Sequence, residues 1–205
     1  MYLPDAFRLS DRATLLAQAE AYPFATVITL GEGGLAVSHL PLLVDASRDL
    51  LRGHLARENP QLAHLAAGAE ALAIFHGPHG YVSPSVYAEQ PSVPTWNYVV
   101  VHARGRSRLV DERALRGILD EMVEHFDTTG WRLQAPPEFV RAKLGAIAGF
   151  EIALEHLEGK WKVSQNRSLT DQERVVAWLE RGDESSRALA ALMRARLEDQ
   201  RRGRE

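Results

Sequence analysis

"WNYVVVHARGRSRLV" (residues 96–110) is the longest strand signal in the chain. Strand side chains alternate, so Trp96 and Tyr98 share one face with Val100 and His102, while Asn97 shares the other with Val99 and Val101. Gly105 marks a bend or bulge. Thr95 to Tyr98 therefore stand as a polar and aromatic cluster at the mouth of a strand whose valines belong in a core.

The flanking segments extend the same pattern. "FATVITL" (24–30), the turn "GEGG" (31–34) and "LAVSHLPLLVD" (35–45) read as two strands joined through glycines. "DASRD" turns the chain into "LLRGHL" (50–55), and a meander is the simplest topology for this stretch. "EALAIF" (70–75) is a further strand, and "HGPHGYVSPSVYAEQ" (76–90), rich in Gly, Pro and Ser, reads as an ordered loop. "GFEIALEHLEGKWKVSQ" (149–165) closes with a strand pair.

Helices separate these strands. Ser10 or Asp11 caps one with Leu15, Leu16 and Ala19 at helical spacing, and Asn59 precedes a short one beginning at Pro60. Behind Asp111, the residues Leu115, Ile118, Leu119, Met122, Val123 and Phe126 form a longer apolar stripe. "PPEFVRAKLGAI" is a further short helix, and two amphipathic helices follow Thr170, separated by "RGDESS". Six or seven strands with so few helices favour an antiparallel barrel with peripheral helices over a βαβ sheet, an α+β fold.

The 205 residues are 45% hydrophobic and 25% charged, enough for one sizeable core or for a main domain with a small appendage. No apolar run approaches the roughly 20 residues that span a bilayer. The amino terminus, MYLPDAFRLSD, is too polar for a signal peptide, so a cytoplasmic location without membrane attachment is expected. The absence of cysteine excludes disulfide scaffolds, thiolate catalysis and Cys-based zinc sites. A formal net charge of −3 gives no global sign of a nucleic-acid partner.

Polar residues interrupt the pattern in three places. In "LAVSHLPLL" the alternation puts His39 with Leu35, Val37 and Leu43, as a satisfied core histidine or as a ligand contact. In "GHLARENP", His54, Arg57 and Asn59 surround a helix start, where free N–H groups favour an anion and an arginine fork matches phosphate. A plain helix cap with a surface arginine is the equal alternative. Tyr81, Tyr87, Trp96 and Tyr98 offer flat faces, and Ser83, Thr95 and Asn97 short polar groups, which suits a planar heteroaromatic ligand or an aromatic corner. "KWKVSQNR" (160–167) repeats that density with Lys162, Ser164, Gln165, Asn166 and Arg167. His76 and His79 have no partner carboxylate at ligand spacing, so no metal site is expected, and no hydrolase, Walker or dinucleotide motif is present.

"GHLARENPQ" (53–61), "AIFHGPHGYVSPSVY" (73–87), "VPTWNYVVVHARG" (93–105) and "KWKVSQNR" (160–167), in this order and spacing, resemble the PaiB family of FMN-binding negative transcriptional regulators. The resemblance implies an antiparallel split β-barrel of the flavin-reductase and pyridoxamine-phosphate-oxidase type over 1–168, with a C-terminal helical hairpin at 169–205. It also implies a homodimer with FMN at the subunit interface. By analogy the phosphate would lie near His54, Arg57 and Asn59, and the isoalloxazine against Ser38, His39, Tyr81 and Ser83. Thr95, Trp96, Asn97 and Tyr98, with Lys162, Ser164, Gln165, Asn166 and Arg167, would close the pocket, including from the other subunit.

Two functions follow from the resemblance. The first is regulation through promoter DNA, which needs a basic surface. Residues 183–205 balance arginines 187, 194, 196, 201, 202 and 204 against acids 183, 184, 198, 199 and 205, so the tail is more simply a structural cap than a helix-turn-helix. The second is an FMN-dependent oxidoreductase, with Lys162, Asn97 and His39 near the polar edge of the ring. A haem-binding relative, using a histidine as axial ligand, is a third possibility.

Overall fold

The computed structural model of the protein describes residues 1–202. Arg204 and Glu205, counted in the tail's charge balance, lie outside the described residues. The first half of the chain forms β1 (Arg8–Leu9), α1 (Arg12–Ala21), β2 (Phe24–Gly31), β3 (Gly34–Pro41), β4 (Leu43–Asp45), β5 (Leu50–Ala56), α2 (Gln61–Ala66) and β6 (Glu70–Val82). The second half forms β7 (Thr95–Leu109), α3 (Glu112–Phe126), α4 (Pro137–Gly145), β8 (Ile147–Ala153), β9 (His156–Lys162), α5 (Leu169–Leu179) and α6 (Glu184–Arg202). Two units result. A barrel unit takes in Arg12–Phe75 and His102–Leu157, and a terminal unit takes in Met1–Asp11, His76–Val101 and the chain from Glu158 onward. β6 and β7 are long enough to supply strand to each.

In the barrel unit the strands lie in the order β3-β2-β6-β7-β8-β5-β4. Gly33 and Gly34, at φ of 94° and 103°, close the β2–β3 hairpin. The end strands of this order, β3 and β4, are joined by Leu42 alone, whose side chain is buried and whose N–H donates to the Pro23 carbonyl at 3.0 Å. A sheet whose two ends are one residue apart must curl until they meet, which closes the barrel. Both expected hairpins are present, β2 with β3 and β4 with β5, but the stretch 35–45, read as one strand, is divided at Leu42 into two strands at opposite ends of the order. Alternation identifies a strand and one buried face, but not the partner on either side.

Ala25, Val27, Leu40, Leu51, Leu55, Phe75, Phe150 and Ile152 fill the barrel core. β7 passes through Gly105 as one continuous strand. The glycine serves close approach, since a Cβ there would stand 1.9 Å from the Ala153 carbonyl oxygen. α3 is capped by Asp111, whose carboxylate accepts from Ala114 N–H at 2.8 Å, and packs Ile118 and Met122 on Leu43.

The terminal unit pairs β9 with β1 and with β7. Its core joins Val82, Val99 and Val163 to Val175 and Leu179 of α5 and Leu189 and Met193 of α6, and α5 and α6 form the expected helical hairpin. Two expectations change here. Residues 76–82 extend β6 instead of forming a loop. Pro78 lies beyond the ladder with β2, which accompanies β6 only from Ala71 to Phe75, while β7 is the neighbour of β6 on its other side. The last two strands also do not pair with each other, β8 being bonded to β5 and β7. Among the described residues, no helix is long and apolar enough to cross a membrane.

Candidate functional site

Two groups of polar residues emerge, one in each unit. In the barrel unit, Ser38 of β3 and Asn59, just before α2, are joined: Asn59 Nδ2 donates to Ser38 Oγ at 2.9 Å. Asn59 Oδ1 accepts the Gln61 N–H at 2.9 Å, so Asn59 opens α2 as expected, although the helix is only 6 residues long. So short a helix offers little dipole to an anion, and charge must come from side chains. Arg57 supplies it. Its side chain is exposed and has no partner among the described residues, while its backbone N–H is held by the Ala146 carbonyl at 3.0 Å.

His54 lies on β5, half-buried, and its Nδ1 is a buried atom with no hydrogen-bond partner among the described residues. Burial pushes its pKa below the ordinary 6.5, leaving the ring neutral near pH 7. A folded-state pKa below the unfolded one makes a contribution to stability that is present above about pH 6.5 and lost as pH falls through the folded value. The expected result is a lower melting temperature at about pH 5.5 than at about pH 7.5, with a smaller difference in His54→Gln. Identical differences in the two proteins would assign the pH dependence elsewhere.

Ser38 and His39 occupy opposite faces of β3, so the structure does not bring them to one surface. His39 is exposed, with Nδ1 3.1 Å from Thr26 Oγ1, its cross-strand partner. On the same outer face stand Phe24, Leu30, Leu35 and Val37, which are 65%, 67%, 72% and 54% exposed. His39 is thus no core histidine, and Leu43, expected beside it, is buried on β4 after the turn at Leu42.

In the terminal unit the structure unites two segments whose bonded residues are 67 positions apart in sequence. Asn97, 1% exposed, donates from Nδ2 to Ser164 Oγ at 2.8 Å and approaches Met193 Sδ at 3.9 Å. Lys162 Nζ donates to Thr95 Oγ1 and, at 2.7 Å, to the Trp96 carbonyl. Burial and the neighbouring Lys160 lower the Lys162 pKa. Ser164 takes a left-handed conformation, φ 60°, in a turn closed by Gln165, which accepts the Val163 N–H at 2.8 Å and donates to the Trp161 carbonyl. The Arg167 guanidinium lies 4.4 Å from the centre of the Tyr87 ring. Thr95, Asn97, Lys162, Ser164, Asn166 and Arg167 line a cleft of about 110 Å³ together with Phe7, Tyr87 and Val93, whereas Gln165 is not part of the lining.

The remaining aromatic residues stand apart from that cleft. Trp96 packs near Tyr81 and His79, each with ring centres 6.1 Å away, in a groove of about 340 Å³. Tyr98 accepts Lys160 over its ring at 5.5 Å. Ser83 is committed to a turn, accepting the Ser85 N–H at 3.3 Å. Trp178, which sequence reasoning missed, joins the groove from α5 and donates to the Tyr81 carbonyl at 3.0 Å. Its place off the apolar stripe Val175, Val176 and Leu179 was the available signal.

Comparison with known proteins bears on both groups. Residues 1–156 match the family model described as "Putative FMN-binding domain". The chain is 32% identical to "Protease synthase and sporulation protein PAI 2" of Bacillus subtilis, over 98% of this chain and 100% of that one. It is 30% identical to an uncharacterized protein of Emericella nidulans, over 78% and 82%. Among solved structures, the FAD and heme binding protein from Mycobacterium smegmatis superposes with TM-score 0.63 at 20% identity, covering 81% of this chain and 78% of that one. The flavocytochrome Anf3 from Azotobacter vinelandii superposes with TM-score 0.62 at 19% identity, covering 76% and 69%. The fold is the α+β split barrel that the sequence resemblance implies.

Proposed function

The chain belongs to the FMN-binding domain family, and on that premise we propose that it is a cytoplasmic FMN-binding homodimer acting as a negative transcriptional regulator. The observation that carries FMN binding is the unused hydrogen-bonding capacity of the barrel-unit group. Arg57 presents a free guanidinium and His54 an orphaned buried nitrogen. Ser38 Oγ, already accepting from Asn59, keeps its own proton to donate. These groups fit a phosphate, with Arg57 as its charged ligand, Ser38 and His54 as hydrogen-bonding partners, and Asn59 positioning Ser38. Bound FMN supplies a redox-active ring, and the protein supplies the grip and the surroundings.

The homodimer is supported by the outer face of β2 and β3. Four large apolar side chains and the Thr26–His39 pair lie open there, a pattern typical of a surface that another chain covers. A second copy offers the same face, and a two-fold axis would bury both. His39 then lies in the interface.

For regulation, the described arginines of α6 do not form a free basic stripe. Arg194 pairs with Glu180, Arg201 with Glu173, and Arg202 lies 3.8 Å from Glu198, while Arg187 caps the Gly182 carbonyl at 2.7 Å and Arg196 donates to Gln172 Oε1 at 3.5 Å. We therefore assign α5 and α6 a structural role and not that of a DNA-reading hairpin.

The test is a visible spectrum of purified protein titrated with FMN. Arg57→Ala is expected to weaken FMN by about 1.5–3 kcal/mol, roughly 10- to 150-fold in Kd. An unchanged Kd removes Arg57 from the site, and a Soret band in place of flavin absorbance would favour a haem protein. The flavin-named structural neighbours favour a second reading, an FMN-dependent oxidoreductase. It requires NAD(P)H-dependent reduction of bound FMN without oxygen, and absence of that reaction leaves the regulator.

A further inference from the structure

We propose that the cleft between Lys162 and Arg167 in the terminal unit binds a phosphoryl dianion, either free phosphate or the phosphate end of a larger ligand. The inference does not rest on the placement of FMN in the barrel unit.

Charge is the first argument. Several arginines elsewhere meet carboxylates: Arg52 contacts Glu121 at 2.5 Å, Arg108 contacts Glu151 at 2.5 Å, and Arg194 pairs with Glu180. Lys162 and Arg167 do not follow this pattern. Lys162 is held by a hydroxyl and a carbonyl and Arg167 by a ring face, and no carboxylate lines the cleft between them. Asp171, the acid nearest in sequence, directs one oxygen to the Ala88 N–H at 2.6 Å and is not part of the lining. Two cations facing one cleft without a counter-charge favour a doubly charged anion.

The second argument is the donor set. Thr95 Oγ1 accepts from Lys162 and Ser164 Oγ accepts from Asn97, so each hydroxyl retains its proton for an oxyanion. Asn97 is almost fully buried and holds Ser164 in its left-handed conformation, so the second hydroxyl is placed in advance of any ligand. The third argument is size. A cleft of about 110 Å³ lies well below the roughly 300 Å³ at which pockets for organic ligands begin, and suits a tetrahedral oxyanion without a flavin ring. The lowered pKa of Lys162 agrees with a cation that lacks its anion.

The test is calorimetric titration of the full chain with inorganic phosphate at constant ionic strength, for wild type, Lys162→Gln and Arg167→Gln. Saturable binding is expected in wild type, weakened about tenfold or more in each variant, with cooperative thermal unfolding retained. Lys162 also ties down Thr95 and Trp96, so Arg167→Gln, which removes only a ring contact, serves if Lys162→Gln does not fold. Repeating the titration with FMN and riboflavin present distinguishes the sources. Phosphate displaced by FMN but not by riboflavin identifies the phosphate end of a larger ligand, and phosphate bound alongside FMN identifies a separate phosphoryl compound. Both outcomes support the site. No saturable binding, or equal binding in wild type and both variants, overturns it. Failure of the FMN reading would look different, as absent flavin binding with the phosphate titration intact.

Discussion

Gly105→Val is expected to leave no stable fold, or to lower the unfolding free energy by more than about 3 kcal/mol. A Cβ at this position would lie 1.9 Å from the Ala153 carbonyl oxygen and 2.8 Å from its carbon, both backbone atoms of the neighbouring chain segment. A flexible side chain can move aside, but a strand inside a barrel cannot withdraw without breaking its ladder and unpacking its inner face. β8 has little freedom to do so, since it is bonded to β5 through seven register pairs as well as to β7. Gly117→Ala is the control. It lies within α3 with no atom within 4 Å of its added Cβ, and it should gain about 0.5–1 kcal/mol from helix propensity. Urea midpoints of the two variants check the pair. Wild-type stability in Gly105→Val would mean that the contact between β7 and Ala153 is not structural.

The second large effect concerns assembly. Leu35→Glu with Val37→Glu is expected to convert the proposed dimer to monomer, with at least about a 100-fold weaker association seen by sedimentation or light scattering. Each apolar side chain contributes about 1.5–3 kcal/mol when an interface covers it, and a two-fold interface counts every change twice. A carboxylate placed there adds a desolvation cost. The fold of the single chain should be unaffected, because both residues are exposed within it, at 72% and 54%. Unchanged circular dichroism with a halved mass is therefore the expected pair of results. A double variant that keeps the wild-type mass excludes the β2–β3 face as the interface.

Much of the barrel was legible from local pattern. The hairpin at "GEGG", the cap at Asp111 and the stripe Leu115 to Phe126 depend on contacts a few residues long, which sequence periodicity reports directly. The misreadings concern what a segment meets in the fold. Residues 76–82 are rich in Gly and Pro and read as a loop, yet β6 runs through them to Val82, past the end of its ladder with β2 at Phe75 and with β7 as its other neighbour. Both hairpins within 24–55 were legible, but 35–45 read as a single strand, whereas Leu42 carries the chain from one end of the strand order to the other.

The candidate sites divide in the same way. Residue types and spacing determined that His54, Arg57 and Asn59 cluster around the start of α2, and that "TWNY" and "KVSQNR" are dense in hydrogen-bonding groups, because these facts lie within single short segments. Only the tertiary structure decided that Asn97 meets Ser164 and Lys162 meets Thr95, since closing a loop of some sixty residues is set by the packing of Val99 and Val163 in one core and not by either segment alone. The tertiary structure likewise decided that His39 looks outward beside Leu35 and Val37 while Ser38 turns toward Asn59. Alternation required neighbours to face opposite ways, but which face meets solvent depends on where the barrel closes.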